Sequence, residues 1–365
     1  MAPGPGAGDH ADLATRLHPP RAVRRIAEEL ERHGHETWCV GGAVRDALLG
    51  IAHLDWDLAT AATPQEVRRI FRRTVPVGIE FGTVGVLDEQ GTLHEVTTFR
   101  RDVRTDGRHA EVEFGASLDE DLARRDLTIN AIAYSPSRRL LHDPFGGRED
   151  LVNRVVRAVG DPEARMREDR LRALRAIRFA ARFGFTIEPV TWAAIVESAP
   201  HLGRLSAERV KQELDKTAEQ VARAGGAMRL WSDSGALRSL VPALDHLSAE
   251  AIAALDVLPR ARGRRASERR VVWYATLLGD VPVQSLASVL KGLRFSNAEG
   301  RAVTRLVELW QSLGEEIGDA LAAGEPDDAT VRRWVARAGR TEVGAFLRVA
   351  AARWCARRGA GERAP

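Results

Sequence analysis

The segment GIAHLDWDLATAATPQEV, residues 50–67, carries two aspartates, Asp55 and Asp57, separated by one tryptophan in an otherwise apolar run. In a strand alternate side chains share a face, so both carboxylates would project from one face while Trp56 points to the other. Like charges this close raise at least one carboxyl pKa unless a cation lies between them, and a divalent cation with oxygen ligands suits such a pair. A solvated strand or turn, in which water screens the repulsion, fits the same pattern.

A third carboxylate follows on a predicted hairpin. The segments GTVGVLD and TLHEVTTF flank a turn at residues 89–91 and read as two antiparallel strands, the second of which carries Glu95. If this hairpin adjoins the aspartate strand, Asp55, Asp57 and Glu95 would hold one or two Mg²⁺ ions. Such ions activate an attacking hydroxyl and stabilise a leaving pyrophosphate.

A glycine turn precedes the aspartates. Gly41 and Gly42 lie between the strand TWCV and a predicted helix that carries Arg45 and Asp46. Glycines let a backbone approach a phosphate closely, a helix start offers unpaired N–H groups, and Arg45 is one turn from the glycines. The turn is neither a Walker loop nor a dinucleotide-binding fingerprint, and a pair of glycines is more often only a tight turn.

The segment EDRLRALRAIRF, residues 168–179, has helical periodicity. Its buried stripe is predicted at Leu171, Leu174 and Ile177. Its polar row is predicted at Glu168, Asp169, Arg172, Arg175 and Arg178. Taken alone, this pattern is typical of an exposed helix face with salt bridges.

The composition is that of a globular protein with more than one domain. At 365 residues the chain exceeds the size that one hydrophobic core usually serves, with 44% hydrophobic and 29% charged residues. The net charge is only +3, and the basic residues are nearly all arginine, whose planar fork suits phosphate. The balance permits a nucleic-acid partner without requiring one.

Cysteine content and hydropathy indicate the compartment. The two cysteines, Cys39 and Cys355, have neither the spacing of a zinc site nor that of a disulfide framework, which predicts a reducing, cytoplasmic setting. No apolar run approaches the length of a membrane span, so no membrane partner is expected. The oligomeric state stays open.

The pattern of elements changes once along the chain. Strands and helices mix up to about residue 160, whereas the periodicity is helical almost throughout from Pro162 onward, which predicts an α+β fold. The expected divisions are a disordered leader over residues 1–20, a mixed head over 21–160, a helical segment over 161–220 and a helical remainder over 221–365.

Several motifs occur in the order seen in one family: CVGGAVRDALLG, LDWDLATAATPQEV, FGTVGV, HEVTTFRRD, DLARRDLTINAIAY, DPFGGREDL and REDRLRALRAIRFAARF. They span roughly residues 36–215. On these motifs the chain resembles the class II tRNA nucleotidyltransferases (CCA-adding enzymes) and bacterial poly(A) polymerases. The family's head resembles the palm of DNA polymerase beta, and its helical neck, body and tail hold tRNA.

The resemblance implies template-independent transfer of CMP, AMP or both from CTP and ATP to a tRNA 3′ end, with pyrophosphate release. It makes Asp55, Asp57 and Glu95 the Mg²⁺ ligands and catalytic carboxylates. Nucleotide contacts are implied at Gly42, Arg45, Arg125, Asp169, Arg172, Arg175 and Arg178, with Asp169 and Arg172 reading the base. Further candidates are Gly41, Asp46, Asp126, Asn130 and Glu168. Arg124 and Arg125 could instead be a surface pair that ends a helix capped by Ser117 and Glu120.

Two departures from the family pattern leave alternatives open. Some relatives carry a phosphohydrolase domain with adjacent His-Asp, whereas the comparable stretch here reads Gly279-Asp280, so no such activity is expected. The segment RDVRTDGRHAEVEF lacks the family's usual proline in a region linked to the switch to A addition. A CC-only or A-only enzyme, a poly(A) polymerase acting on other RNAs and a non-catalytic RNA-binding relative are the alternatives.

Overall fold

The structure is a computed structural model that describes residues 17–52, 55–105, 110–258 and 266–361, without the side chains of 102–105, 110–112, 266 and 359–361. The chain forms two compact units. The first comprises Met1–Arg172 with Thr186–Ala194, and the second comprises Ala173–Phe185 with Ile195–Pro365. Residues 1–16 of the expected leader lie outside the described residues, while Leu17 is buried.

The first unit mixes short strands and helices. Its strands are β1 Thr37–Val40, β2 Asp57–Thr60, β3 Thr74–Gly78, β4 Thr83–Leu87, β5 Leu93–Thr98, β6 Arg100–Thr105, β7 Ala110–Phe114, β8 Ala133–Ser135, β9 Leu140–His142, β10 Val155–Val156 and β11 Thr186–Ile187. Its helices are α1 Arg21–Arg32, α2 Gly42–Leu48, α3 Pro64–Ile70, α4 Leu118–Ala123, α5 Gly147–Asn153 and α6 Pro162–Glu168. Two helices, α7 Leu171–Phe183 and α8 Pro189–Ser198, cross from one unit to the other.

Seven strands form the main sheet of the first unit, in the order β3-β4-β5-β2-β1-β8-β9. Strands β2 and β5 pair in parallel at its centre, and the other neighbours in this sheet are antiparallel. Strands β6 and β7 form a separate hairpin, and β10 and β11 form a short parallel pair. The predicted hairpin is confirmed, because Leu87 of β4 faces Leu93 of β5.

Local signals set the helix ends of this unit. A capping box starts α3, since the Thr63 hydroxyl accepts from the Glu66 backbone and the Glu66 carboxylate accepts from the Thr63 backbone. Helix α1 buries one apolar stripe, formed by Val23, Ile26, Ala27 and Leu30 at helical spacing. These contacts hold α1 on the sheet.

The second unit is helical. Besides the crossing helices it contains α9 Ala207–Gln220, α10 Ala224–Asp233, α11 Ala236–Leu240, α12 Ala249–Val257, α13 Ala266–Leu277, α14 Val283–Gly292, α15 Asn297–Ala323, α16 Asp328–Ala338 and α17 Val343–Gly361. Large buried side chains such as Trp231 and Tyr274 fill its interior. The α+β class, with a helical C-terminal region, is therefore confirmed. Among the described residues, none of the helices has the length and apolarity needed to cross a membrane.

Candidate active site

Two of the three predicted carboxylates lie on neighbouring strands at the centre of the sheet. Strands β2 and β5 run parallel with Leu58 opposite Val96. Continuing this register by one residue brings Asp57, the first residue of β2, beside Glu95 of β5. Both side chains are half-buried. The expectation that the hairpin adjoins the aspartate strand is therefore confirmed by the sheet order.

The strand that was expected to include Asp55 starts two residues later, at Asp57. Strand β2 begins at Asp57, so Asp55 lies before it and is exposed, and Leu54 lies outside the described residues. Trp56 and Leu58, at 3% and 0% exposure, point into the core as the alternation predicts. The short strand begins only where its β1 partner, paired from Val40 to Asp57, is available. Asp55 is consequently more accessible to solvent than Asp57.

Negative charge accumulates around Asp57. The pKa of Asp57 is raised from its ordinary 3.8 to about 6, first by burial and then by the charges of Asp55 and Glu95, while Arg125 acts in the opposite direction. No described residue makes a hydrogen bond or ion pair with the Asp57 carboxylate that would offset this repulsion. The cluster is an electrostatic arrangement that a cation would relieve.

The three carboxylates fit a divalent cation by charge and by donor type. Carboxylate oxygens are the hard ligands that such ions prefer. In the conformation described, no group of three or more His, Cys, Asp or Glu side chains among the described residues could hold a metal ion together. The donors are therefore near one another without forming a complete ligand set.

The glycine turn packs directly against this cluster. Gly41 has φ +77° and ψ −134°, a conformation that other residues rarely adopt. A Cβ at Gly41 would lie 3.2 Å from Nη1 of Arg125 and 4.0 Å from Oδ2 of Asp57. The backbone of Gly41 thus lies close to both the Arg125 guanidinium and the Asp57 carboxylate. A nucleotide contact at Gly42, where α2 begins, stays a prediction.

Arg45 and three other candidates form a buried polar network. Arg45 is 3% exposed and donates from Nε to Oδ1 of Asp46 at 2.7 Å and from Nη1 to Oδ1 of Asn130. Asn130 in turn donates to Oδ1 of Asp126 at 2.9 Å. This network joins α2 to the turn at Thr128–Asn130. A phosphate contact by Arg45 stays a prediction, and its burial favours a structural role.

Arg124 and Arg125 share one buried carboxylate. Arg124 donates from Nη2 to Oδ1 of Asp121 at 2.9 Å, and Arg125 donates from Nη2 to Oδ2 at 3.1 Å. Asp121 is 1% exposed; its burial alone would raise its pKa, but the charges of Arg125 and Arg124 hold the pKa below its ordinary value. Asp121 remains ionised at neutral pH and fixes the Arg125 side chain that acts on Asp57.

The predicted base-reading helix is interrupted. Helix α6 ends at Glu168 and α7 begins at Leu171, while Asp169 between them is extended, at φ −147° and ψ 106°. Oδ1 of Asp169 accepts a hydrogen bond from the Leu171 N–H at 3.0 Å, which competes with helix continuation. The single helix expected over residues 168–179 is therefore wrong. Leu174 and Ile177 are buried as predicted, whereas Leu171 is only half-buried.

Arg172 bonds to Glu168, one of its predicted turn neighbours, and to the backbone at the end of α4. Its Nη1 donates to Oε2 of Glu168 at 2.7 Å, and its Nη2 donates to the Arg124 carbonyl at 2.8 Å. Glu168 also binds Arg165, whose Nη1 donates to the Ala123 carbonyl at 3.0 Å. Two arginines thus satisfy the last carbonyls of α4. This places the guanidinium of Arg172 next to the backbone that carries Arg125.

Arg175 and Arg178 belong to the second unit. Arg178 is 3% exposed and donates from Nε to Oε2 of Glu213 at 2.7 Å and from Nη1 to Gln220 at 3.1 Å. Its guanidinium also lies 4.4 Å from the Phe179 ring centre. The prediction that Arg178 lies on an exposed helix face is wrong, because its side chain forms a buried ion pair with Glu213. Residues spaced three apart share a helix face, but this spacing does not show whether the face contacts solvent or another helix. Arg175 is half-buried.

Comparisons with known proteins agree with this arrangement. The model for the poly A polymerase head domain matches residues 37–157, and a model described as "Probable RNA and SrmB- binding site of polymerase A" matches 184–248. The CCA-adding enzyme of Streptococcus suis (strain 05ZYH33) is 42% identical over 288 residues, which cover 78% of this chain and 70% of that protein. The chain belongs to the family of CCA-adding enzymes and poly(A) polymerases.

Further relatives support membership of the CCA-adding family. The enzyme of Geobacillus kaustophilus (strain HTA426) is 48% identical over 193 residues, and the match spans about half of each protein, 52% of this chain and 47% of that one. The solved structure of the Bacillus stearothermophilus CCA-adding enzyme with CTP has a TM-score of 0.73 and 34% identity over 92% of this chain and 78% of that chain.

Sequence reasoning missed two residues that support the site of this family member. Asp121 lies three and four residues before Arg124 and Arg125, a helical spacing that could have identified the shared ion pair. Arg165 lies on α6, and its bond to the Ala123 carbonyl has no signal in the sequence because the two residues are 42 positions apart.

Proposed function

We propose that this protein transfers CMP and AMP from CTP and ATP to the 3′ end of tRNA, without a template, and releases pyrophosphate. The observation that carries the proposal is the convergence of Asp55, Asp57 and Glu95 beside Arg125, which the parallel pairing of β2 with β5 produces. Support comes from curated CCA-adding enzymes at 42–48% identity and from the CTP-bound relative at 34% identity. The proposed setting is the cytoplasm, where tRNA is processed.

The carboxylates would hold Mg²⁺, which when bound lowers the pKa of the attacking ribose hydroxyl and neutralises charge on the departing pyrophosphate. Arg125 offers a guanidinium to the phosphates from the other side of Asp57, and Asp121 keeps its side chain in one orientation. Gly41 leaves room for the phosphates because it presents no side chain to Arg125. These residues bind and orient, and the ribose hydroxyl attacks in line with the leaving group.

Base selection is assigned to Asp169 and Arg172. Cytosine and adenine both present an amino donor beside an unprotonated ring nitrogen, whereas uracil and guanine present a carbonyl beside a ring N–H. Asp169 can accept from the amino group and Arg172 can donate to the ring nitrogen. A mismatch leaves charged groups unpaired at a cost of about 1–3 kcal/mol or more. The hydrogen bonds from Arg172 to Glu168 and to the Arg124 carbonyl would hold its fork in the reading orientation.

The helical segments would hold the rest of the tRNA. The proposed division is a neck over residues 161–220 and a body and tail over 221–365, with binding through shape and backbone phosphates. Support comes from the RNA-binding family model matched at 184–248. Affinity should then fall steeply with salt and depend little on tRNA identity.

The deciding experiment measures pyrophosphate release and 3′-end extension on two tRNA substrates, one ending at the discriminator base and one ending in CC. Each of the four nucleotides is supplied separately and in the CTP plus ATP pair. A CCA-adding enzyme extends the first substrate by CCA and the second by A. Extension by CC alone, or by A alone, identifies a partial activity, and long adenosine tails on unrelated RNA identify a poly(A) polymerase. Absence of pyrophosphate with every substrate would refute the proposal.

A further inference from the structure

The first unit contains a cavity of about 650 Å³ that shares no residue with the candidate active site. Its walls come from three places: the segment that precedes α1, the outer side of α1, and the hairpin of β8 and β9. The polar residues that line it are His18, Arg24, Glu28, Tyr134, Ser137 and Arg139. Cationic groups therefore predominate on its walls.

Two guanidinium groups in this cavity lack protein partners. Arg24 on α1 and Arg139 on the hairpin are exposed, and neither makes an ion pair or a side-chain hydrogen bond with any described residue. Arg139 also has φ +53°, a left-handed conformation that is uncommon for residues with a side chain. Its backbone costs free energy that the hairpin turn offsets, and strained residues of this kind cluster at binding sites. The hairpin thereby presents Arg139 on the side of the cavity opposite α1.

Tyr134 supplies a hydroxyl group to the same cavity. The residue is 5% exposed, its hydroxyl oxygen is open to the cavity, and no described residue forms a hydrogen bond with it. A hydroxyl group in this position can both donate to and accept from a ligand. Burial raises the pKa of Tyr134, while the charges of Arg139 and Arg24 act in the opposite direction. Tyr134, Arg24 and Arg139 line the same cavity, so one ligand there can contact the hydroxyl and both guanidinium groups.

We propose that this cavity binds a phosphate group, with Arg24 and Arg139 contacting its oxygens and the Tyr134 hydroxyl donating a hydrogen bond. Guanidinium groups suit phosphate because they donate from two nitrogens in one plane. With His18 neutral, Arg24, Arg139 and Glu28 sum to one positive charge, which balances a phosphodiester monoanion. Glu28 can accept from a sugar hydroxyl beside the phosphate. The group can come from an RNA backbone or from free phosphate or nucleotide.

The RNA source is tested with the double variant Arg24→Gln, Arg139→Gln in the full chain. Its matched control is Arg68→Gln, Arg72→Gln, which removes the same charge from exposed arginines that do not line the cavity. Filter binding of a tRNA without its CCA end is measured over a series of salt concentrations. If RNA occupies the cavity, the first variant binds roughly tenfold more weakly than the control, and its salt slope is smaller by about 1, the value for one phosphate contact. Thermal unfolding checks that both variants are folded.

The free-phosphate source is tested by calorimetric titration of the wild type and both variants with inorganic phosphate and with CMP. Tyr134→Phe accompanies these variants, because it removes only the unpartnered hydroxyl and should weaken binding severalfold without lowering thermal stability. Loss of phosphate or CMP binding in the cavity variant, with tRNA binding equal to that of the control, supports the free ligand as the source. If cavity and control variants bind tRNA, phosphate and CMP alike, the proposal is overturned. Nucleotide incorporation at saturating tRNA reports on the proposed function separately.

Discussion

Two regions of the molecule, one in each unit, differ in how their charges are compensated. In the first unit, Asp57 lies half-buried near Asp55 and Glu95, and burial together with these like charges raises its pKa to about 6. In the second unit, Arg353 is 0% exposed but donates to Oδ1 of Asp280 at 2.8 Å and to the Thr276 carbonyl at 2.7 Å. Both arrangements take charged groups at least partly out of water.

This difference distinguishes a candidate ligand-binding site from an ion pair with a structural role. A buried charge with its counter-ion in place contributes to a fixed arrangement of helices, and it has no need of a further ligand. A carboxylate whose pKa is raised by burial and by neighbouring carboxylates destabilises the fold locally, and such groups are retained where a ligand supplies positive charge. Compensation, rather than burial, is the property that distinguishes the two regions.

The largest expected effect is on catalysis by the carboxylate cluster. Asp57→Asn should lower kcat/KM for CMP incorporation by roughly two orders of magnitude or more, because the metal's stabilisation of the transition state is worth several kcal/mol. tRNA affinity, which comes mainly from phosphate contacts elsewhere, should persist. Single-turnover incorporation and filter binding measure the two quantities. A variant that retains wild-type turnover would contradict the metal-site assignment.

The same variant should not lose stability. The folded-state pKa of Asp57, about 6, lies above its ordinary 3.8, so this carboxyl contributes stability that is present below pH 3.8 and lost as the pH rises through about 6. Asp57→Asn removes that loss. In the presence of a chelator at pH 7.5, its thermal midpoint should equal or exceed that of the wild type. A clear decrease would mean that Asp57 has a stabilising partner.

The opposite result is expected in the second unit. The side chains of Arg178 and Glu213 are 4% and 1% exposed, so Glu213→Ala leaves a buried guanidinium without its counter-ion. The free energy of unfolding should fall by about 3–5 kcal/mol, as for other broken buried pairs. Urea unfolding followed by circular dichroism measures the loss. Stability equal to that of the wild type would show that the ion pair between Arg178 and Glu213 does not stabilise the fold.

A smaller effect is expected where backbone approaches the buried Arg353. A Cβ at Gly279 would lie 2.5 Å from Nη2 of Arg353, so Gly279→Ala should destabilise the protein by about 1–3 kcal/mol. Gly300, inside α15, has no heavy atom within 4 Å of such a Cβ, and Gly300→Ala should be neutral or stabilising by about 0.5–1 kcal/mol. The two melting temperatures should therefore move in different directions. Equal shifts in melting temperature would show that the Arg353 side chain can move to make room for the added methyl group.

The smallest effect concerns the two thiols. Cys39 is buried on β1, and burial, with the charge of Asp57, raises the pKa of its thiol far above its ordinary value, whereas Cys355 is exposed. A thiol reagent should label one cysteine per chain in the native state and both after denaturation. Peptide mapping should locate the native label at Cys355. Rapid native labelling of Cys39 would show that the strand opens.

Part of the site was predictable from local pattern. Alternation along the chain predicts the faces of Trp56 and Leu58, and the hairpin turn predicts the strand that carries Glu95. The break at Asp169 was not predictable from periodicity, because apolar spacing continues across it while the Asp169 carboxylate competes with the helix for the Leu171 N–H. Helical spacing also could not tell that Arg178 is buried. Residues 106–109 of the segment RDVRTDGRHAEVEF lie outside the described residues.

The sequence by itself determined the mixed head, the helical remainder and the family, because these depend on periodicity, glycine positions and ordered motifs that are local along the chain. Only the tertiary structure decided which charges are compensated. Asp57 meets Glu95 through the pairing of β2 with β5, and Arg172 meets the Arg124 carbonyl across 48 positions. The residue type determines the charge of a side chain, but the packing of segments that are distant in sequence determines which counter-ion lies beside it. Carboxylates therefore form a cluster at the centre of the sheet but closed ion pairs elsewhere, with Arg125 in the first unit and with Arg178 in the second.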